Sequence, residues 1–262
     1  MDLGIDGNAA LVTASSSGLG KASALALARE GADVVVNGRD PNRLESTVEE
    51  LRAEAPGRVV GQRGDLTDPA DIEALVDRTV DEFGGIDHLV TSAGGPPSGP
   101  FLDMDDGDWY DAYDLLVMSV VRLVRLAADH LRDGGGTIVT ITSRTVKEAL
   151  DSLVLSNAVR MGVIGLEKTL SKELAPDVRA NAVLPGVIET ARINEIIEQA
   201  LDRGDYETYE EGLADWSADI PLERVGEPIE LGDMVAFLSS ERSSYINGTA
   251  VPIDGGSISA NL

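Results

Sequence analysis

Thr13-Ala14-Ser15-Ser16-Ser17-Gly18-Leu19-Gly20 decides the fold; it lies between the apolar run Ala9–Thr13 and the alanine-rich stretch that starts at Lys21. A strand that ends in a glycine-rich turn and passes directly into a helix can bring its backbone close to a ligand. Glycine has no side chain to hold the ligand off, and the first turn of the helix offers free N–H groups at a positive dipole end. That chemistry suits the pyrophosphate of a dinucleotide. By itself the turn is a modest signal, and its place after the first strand and before a well-patterned helix strengthens it.

Outward from this turn, apolar runs alternate with helical patterns to the end of the chain. Ala9–Thr13, Asp33–Asn37, Arg58–Arg63, His88–Thr91, Thr137–Thr142, Arg179–Leu184 and Ala250–Ile253 read as seven strands. Most are rich in β-branched residues with little polar alternation, as expected of parallel strands covered on both faces. Asp40-Pro41 and Asp68-Pro69 each set a capping acid before a proline at the first helical position, and Gly31 reads as a helix stop. The pattern predicts a single-domain, Rossmann-like α/β fold, a doubly wound parallel sheet with right-handed crossovers. Two connections are long: Gly94–Gly107, and the acidic, helical stretch Glu189–Leu222 with Tyr206, Tyr209 and Trp216. Both follow strand C-termini, where ligands sit in such sheets, and the second reads as a substrate lid.

Composition narrows the function classes. The 262 residues hold 46 acids against 21 basic residues, a formal charge of −25, and only four of the bases are lysines. The acids are spread over the whole chain, so an acidic interaction tail is not the reading. Self-repulsion of that size calls for screening by salt, which points to the cytoplasm of a halophile. Nucleic acid and anionic membrane would be repelled. With no cysteine, and with only His88 and His130, thiolate and histidine-rich metal sites are excluded. The start of the chain, Met1-Asp2-Leu3-Gly4-Ile5-Asp6, lacks the features of a signal peptide, and no apolar run approaches a membrane span. A soluble, cytoplasmic protein with a small-molecule partner is expected.

The second strand ends in Asn37-Gly38-Arg39. An acid there would take ribose hydroxyls and repel a 2′-phosphate, whereas Arg39 offers a guanidinium fork to phosphate. NADP(H) is therefore the expected cofactor, with NAD(H) as the alternative.

These motifs together resemble the short-chain dehydrogenase/reductases of classical size, and the likeness covers nearly the whole chain. Thr13–Gly20 is similar to the family's TGxxxGxG turn, with Ala14 in place of its first glycine. Asp65-Leu66 matches the adenine contact, and Ser92-Ala93-Gly94 stands where the family has Asn-Ala-Gly. Pro185-Gly186-Val187-Ile188-Glu189-Thr190 resembles the turn that holds the nicotinamide carboxamide, and Val251–Gly256 matches the closing strand. The resemblance is strongest to the 3-oxoacyl-carrier-protein reductase branch. It implies a homo-tetramer or homo-dimer and a carbonyl or secondary-alcohol substrate.

The family's catalytic residues carry over only in part. Its serine falls on Ser143, but its tyrosine falls on Ser156, its lysine on Arg160 and its asparagine on Leu116. A serine hydroxyl is too weak an acid to replace a phenol. Arg160 stays charged, so it can orient ribose hydroxyls but cannot shuttle protons. Ser143, Ser156 and Arg160 are the catalytic candidates; Lys147 or a lid tyrosine could supply the proton. Two readings follow: an NADP(H)-dependent oxidoreductase with an atypical site, or a non-catalytic dinucleotide-binding or scaffold protein that keeps the fold.

Overall fold

The protein is described by a computed structural model covering residues 2–260, apart from the side chains at positions 192, 195 and 196. Met1, where the N-terminal reading begins, lies outside the described residues. In chain order the elements are β1 (Ala9–Val12), α1 (Gly18–Arg29), β2 (Asp33–Gly38), α2 (Pro41–Glu54), β3 (Val59–Arg63), α3 (Pro69–Phe83), β4 (His88–Thr91), α4 (Asp106–Tyr113) and α5 (Ser119–Arg132). There follow β5 (Gly136–Ile141), α6 (Val154–Glu173), β6 (Val178–Pro185), α7 (Ala191–Arg203), α8 (Tyr209–Ser217), α9 (Pro228–Ser239) and β7 (Ala250–Ile253). All seven strands are parallel, in the order β3-β2-β1-β4-β5-β6-β7. The order reverses between β1 and β4, and a crevice opens there at the strand C-termini.

Strand limits shift by a residue or so from the sequence reading: β1 stops at Val12 and β2 runs on to Gly38. The caps form as expected. Asp40 accepts from the Arg43 amide at 2.8 Å and Asp68 from the Ala70 amide at 2.9 Å. The helical stretch from Asp106 to Arg132 is interrupted, because Asp114–Met118 winds as a π turn between α4 and α5. Such bulges concentrate at functional sites. Here the turn carries Asp114 and Leu115 to the crevice, while Leu116 is buried among the side chains on the α3–α5–α6 face.

Two apolar layers hold the sheet. On one face α1, α2 and α9 cover Val12, Val34, Val36 and Val139 with Leu27, Leu51 and Leu231. On the other, α3, α5 and α6 cover Leu11, Val35, Leu89 and Ile138 with Leu75, Leu123 and Leu155. Burying each such side chain contributes about 1.5–3 kcal/mol. His88 opens β4 within this core. Its ring bridges the Asn8 amide at 3.0 Å and the Thr137 hydroxyl at 2.9 Å, and burial lowers its pKa to about 4, so it is neutral there. Among the described residues no helix is long and apolar enough to cross a membrane.

Candidate active site

The glycine-rich turn is built as a rigid lip. Ala14 takes a positive φ of 46° where the resembling motif has glycine, and its amide donates to Asn37 Oδ1 at 3.0 Å. Gly20 cannot carry a side chain, since a Cβ there would lie 2.5 Å from the Ala14 carbonyl oxygen. Thr13 and Ser15 prove to be buried supports of the turn and do not line the crevice. The Thr13 hydroxyl exchanges hydrogen bonds with the backbone of Ser92 at 2.8 Å, and the Ser15 hydroxyl donates to the Val12 carbonyl at 2.6 Å. Both are fully enclosed because the strand must stop and turn at this point. Ala14, Ser16, Ser17, Gly18, Leu19 and Gly20 are the residues of the turn that reach the crevice.

At the β2 tip, Asn37 is buried and ties three loops together: besides holding Ala14, it donates to the Gln62 carbonyl at 3.3 Å and the Gly64 carbonyl at 3.1 Å. A side chain at Gly38 would collide with the Ser16 hydroxyl, so the strand tip has no room for an acid. Arg39 is exposed and lies 3.7 Å from Asp65. The Thr67 backbone N–H, more than Arg39, holds the Asp65 carboxyl below its usual range. Arg43, one turn into α2, lines the same end of the crevice.

The crevice, of about 1290 Å³, runs from there past Leu66, Ser92, Ala93 and Gly94 to Ile141, Thr142, Arg160 and Thr190. Ser143, Pro185, Gly186 and Ile188 do not line it. Ile188 faces a smaller hollow beside Leu222 and Pro252, and Gly186 packs against Asp254.

At the inner end three sequence candidates meet, joined by two residues the sequence reading passed over. Arg160 Nε donates to Ser156 Oγ at 3.1 Å, and its Nη1 donates to the Thr142 carbonyl at 3.3 Å. The Thr145 hydroxyl lies 3.2 Å from Ser156 Oγ. Ser156 and Arg160 are both buried on the sheet side of α6, and burial alone lowers the Arg160 pKa to about 10. Ser143 is half-buried and accepts from the Thr145 amide at 3.2 Å. The i, i+4 spacing brings Ser156 under Arg160 on one helix face; the contact with Thr142 depends on the sheet and left no mark in the sequence.

The other suggested proton donors are committed elsewhere. The Tyr209 hydroxyl, with one proton to give, lies 3.0 Å from Glu189 Oε1 and 2.8 Å from Asn194 Oδ1, and Tyr206 donates to Asp215 at 2.7 Å. Burial and Glu189 push the Tyr209 phenol up to about 12, and the bond to Asp215 raises Tyr206. Lys147 is exposed and does not line the crevice. Among the described residues there is no cluster of side chains able to hold a metal ion.

A crevice at the switch point of a doubly wound parallel sheet, edged by a glycine turn and a helix N-terminus, defines a class of nucleotide-binding α/β proteins. Within it, the family model described as enoyl-(acyl carrier protein) reductase matches residues 13–257. The 3-oxoacyl-(acyl-carrier-protein) reductase FabG of Thermotoga maritima is 32% identical over 254 residues, covering 96% of this chain and 98% of that protein. Dehydrogenase/reductase SDR family member 4 of Caenorhabditis elegans is also 32% identical, over 96% of this chain and 95% of its own length. Among solved structures, L-sorbose reductase of Gluconobacter frateurii, complexed with NADPH and L-sorbose, superposes with a TM-score of 0.94 at 32% identity, covering 99% of this chain and 100% of that one. The chain belongs to the short-chain dehydrogenase/reductase family.

Proposed function

We propose that the protein is an NADP(H)-dependent oxidoreductase acting on a carbonyl or secondary alcohol. The observation that carries this reading is the adenosine end of the crevice: Arg39 and Arg43 stand at a strand tip where Gly38 leaves no room for an acid. A 2′-phosphate finds a guanidinium fork there. The NADPH complex of the Gluconobacter reductase supports the same cofactor. Gly18–Gly20 and the start of α1 hold the pyrophosphate, Asp65 and Leu66 the adenine, and Ser92, Ala93, Gly94 and Thr190 the nicotinamide half. The bound cofactor supplies the hydride. Ser143 polarises the substrate oxygen, and Arg160 holds ribose and raises the local positive potential. Segment 189–222 closes over the substrate. The protein works as a homo-tetramer or homo-dimer in a salt-rich cytoplasm; the exposed Tyr110, Tyr113 and Met161 on α4 and α6 support assembly through these helices.

A second reading, a non-catalytic dinucleotide-binding or scaffold protein, draws on one observation: neither lid phenol faces the crevice, and Ser156 is hydrogen-bonded internally. Fluorescence titration with NADPH and NADH in molar KCl, followed by NADPH oxidation over a carbonyl panel, separates the two. Tight, NADPH-preferring binding with turnover is expected. Binding without turnover on any carbonyl favours the second reading, and binding of neither nucleotide sinks the oxidoreductase and leaves a scaffold.

A further inference from the structure

Arg160 is a buried cation without a counter-ion among the described residues. It is 9% exposed, its two protein acceptors are the neutral Ser156 hydroxyl and the Thr142 carbonyl, and burial is the sole cause of its lowered pKa. A guanidinium has five N–H donors, so three of them meet no acceptor among the described residues. Burying an unpaired charge is costly, and here it occurs in a chain of net charge −25 with acids in surplus. Of the carboxylates that line the crevice, Asp65 lies beside Arg39 at 3.7 Å, and Asp114 takes Arg122 at 2.7 Å. Of the others, Asp111 is exposed and Asp40 caps α2. Of the lining residues that the β5 tip and α6 contribute, Ile141, Thr142 and Arg160, only Arg160 is charged.

We infer that this end is an anion subsite and that the substrate carries a carboxylate one or two carbons from its reacting carbon. It is then an oxo acid in the reducing direction and a hydroxy acid in the other. The inference rests on the oxidoreductase reading for its substrate pair but not for the site itself. Cofactor phosphates belong at the start of α1, on the far side of the turn, and ribose hydroxyls are neutral, so neither compensates Arg160. A carboxylate does, through charge-assisted hydrogen bonds to the unused Nη donors. Arg160 itself lines the crevice, which gives a ligand there access to it.

The test compares 2-oxobutanoate and acetoacetate with their methyl esters, which keep shape and remove charge, as substrates for NADPH oxidation at one fixed KCl concentration. The better acid should exceed its ester in kcat/KM by roughly 10- to 100-fold, the range that hydrogen bonds to an ionised group support. Arg160→Gln should bring that ratio near one, and Arg160→Lys should keep part of it. A companion titration measures 2- and 3-hydroxybutanoate and their methyl esters against the NADP⁺-loaded wild type, which needs neither turnover nor a folded variant. Esters equal to or better than acids in either measurement overturn the anion subsite while leaving the reductase reading standing. Selective binding of the hydroxy acids without turnover of any carbonyl upholds the subsite and defeats the reductase reading.

Discussion

At the scale of single residues, the crevice is decided by what is missing as much as by what is present. Gly38 and Ser16 together keep an acid from the β2 tip, and Arg39 stands beside the gap with its guanidinium exposed. Arg39→Ala should weaken NADPH binding roughly tenfold, as expected for loss of a charge-assisted contact, with NADH changed by less than about twofold. Parallel fluorescence titrations read the ratio. Ser156 and Arg160 allow a second measurement. If the wild type reduces carbonyls through its own constellation, Ser156→Tyr with Arg160→Lys breaks the Ser156–Arg160–Thr142 network and lowers that activity by about tenfold or more. Strong activity appearing from none would mean that the wild-type site had lost its catalyst. Much at this scale was legible in sequence: the turn and Arg39 can be read from the chain itself, and the departures at positions 116, 156 and 160 from its resemblance to the family. The roles of Thr13 and Ser15 as buried braces were not, because inward and outward side chains of a turn look alike until the loop is closed.

At the scale of elements, α6 carries a feature its sequence pattern hid. Glu167 lies two turns beyond Arg160, is 3% exposed, and neither of its carboxyl oxygens has a hydrogen-bond partner. Burial pushes its pKa up to about 8, with Thr140 pulling weakly the other way. In the unfolded chain the same group titrates near the ordinary glutamate value of about 4.3. Between these values the folded protein binds the extra proton, so stability falls as pH rises from about 4.5 to about 8, and the cost is complete above that window. Glu167→Gln removes the titration. It should raise the melting temperature at pH 8 by roughly 4–8 °C, have little effect at pH 4.5, and flatten the slope between them. Thermal melts of both proteins across that range provide the check. Leu166 and Leu170 pack against the core on either side of Glu167, but an acid in a long helix of so acidic a chain reads as surface. The π turn at Asp114–Met118 was equally invisible: an extra residue in a helical turn changes no pattern of apolar spacing strongly enough to be read.

At the scale of the molecule, charge is the dominant variable. A net −25 spread over one domain repels itself in dilute buffer, and the ten ion pairs among the described residues use few of the 46 acids. Surface pairs of this kind contribute about 0–1 kcal/mol each. Thermal melts should therefore shift upward by roughly 10 °C or more between 0.1 M and 2 M KCl as repulsion is screened; a flat or falling curve would contradict that reading. The alternation of strands and helices made the sheet legible from sequence because each crossover obeys the same handedness.

That architecture also sets an order of events during synthesis. The crevice takes its walls from loops running from Ala14 to Ala191, contributed after each of the first six strands. Parallel strands pair only after a long crossover has been made, so non-local contacts come late. A nascent chain that has emerged only as far as β5 possesses the glycine turn but not the site. A ligand spanning the crevice therefore binds only once about three-quarters of the polypeptide has left the ribosome, and it stabilises the finished sheet in preference to any fragment of it.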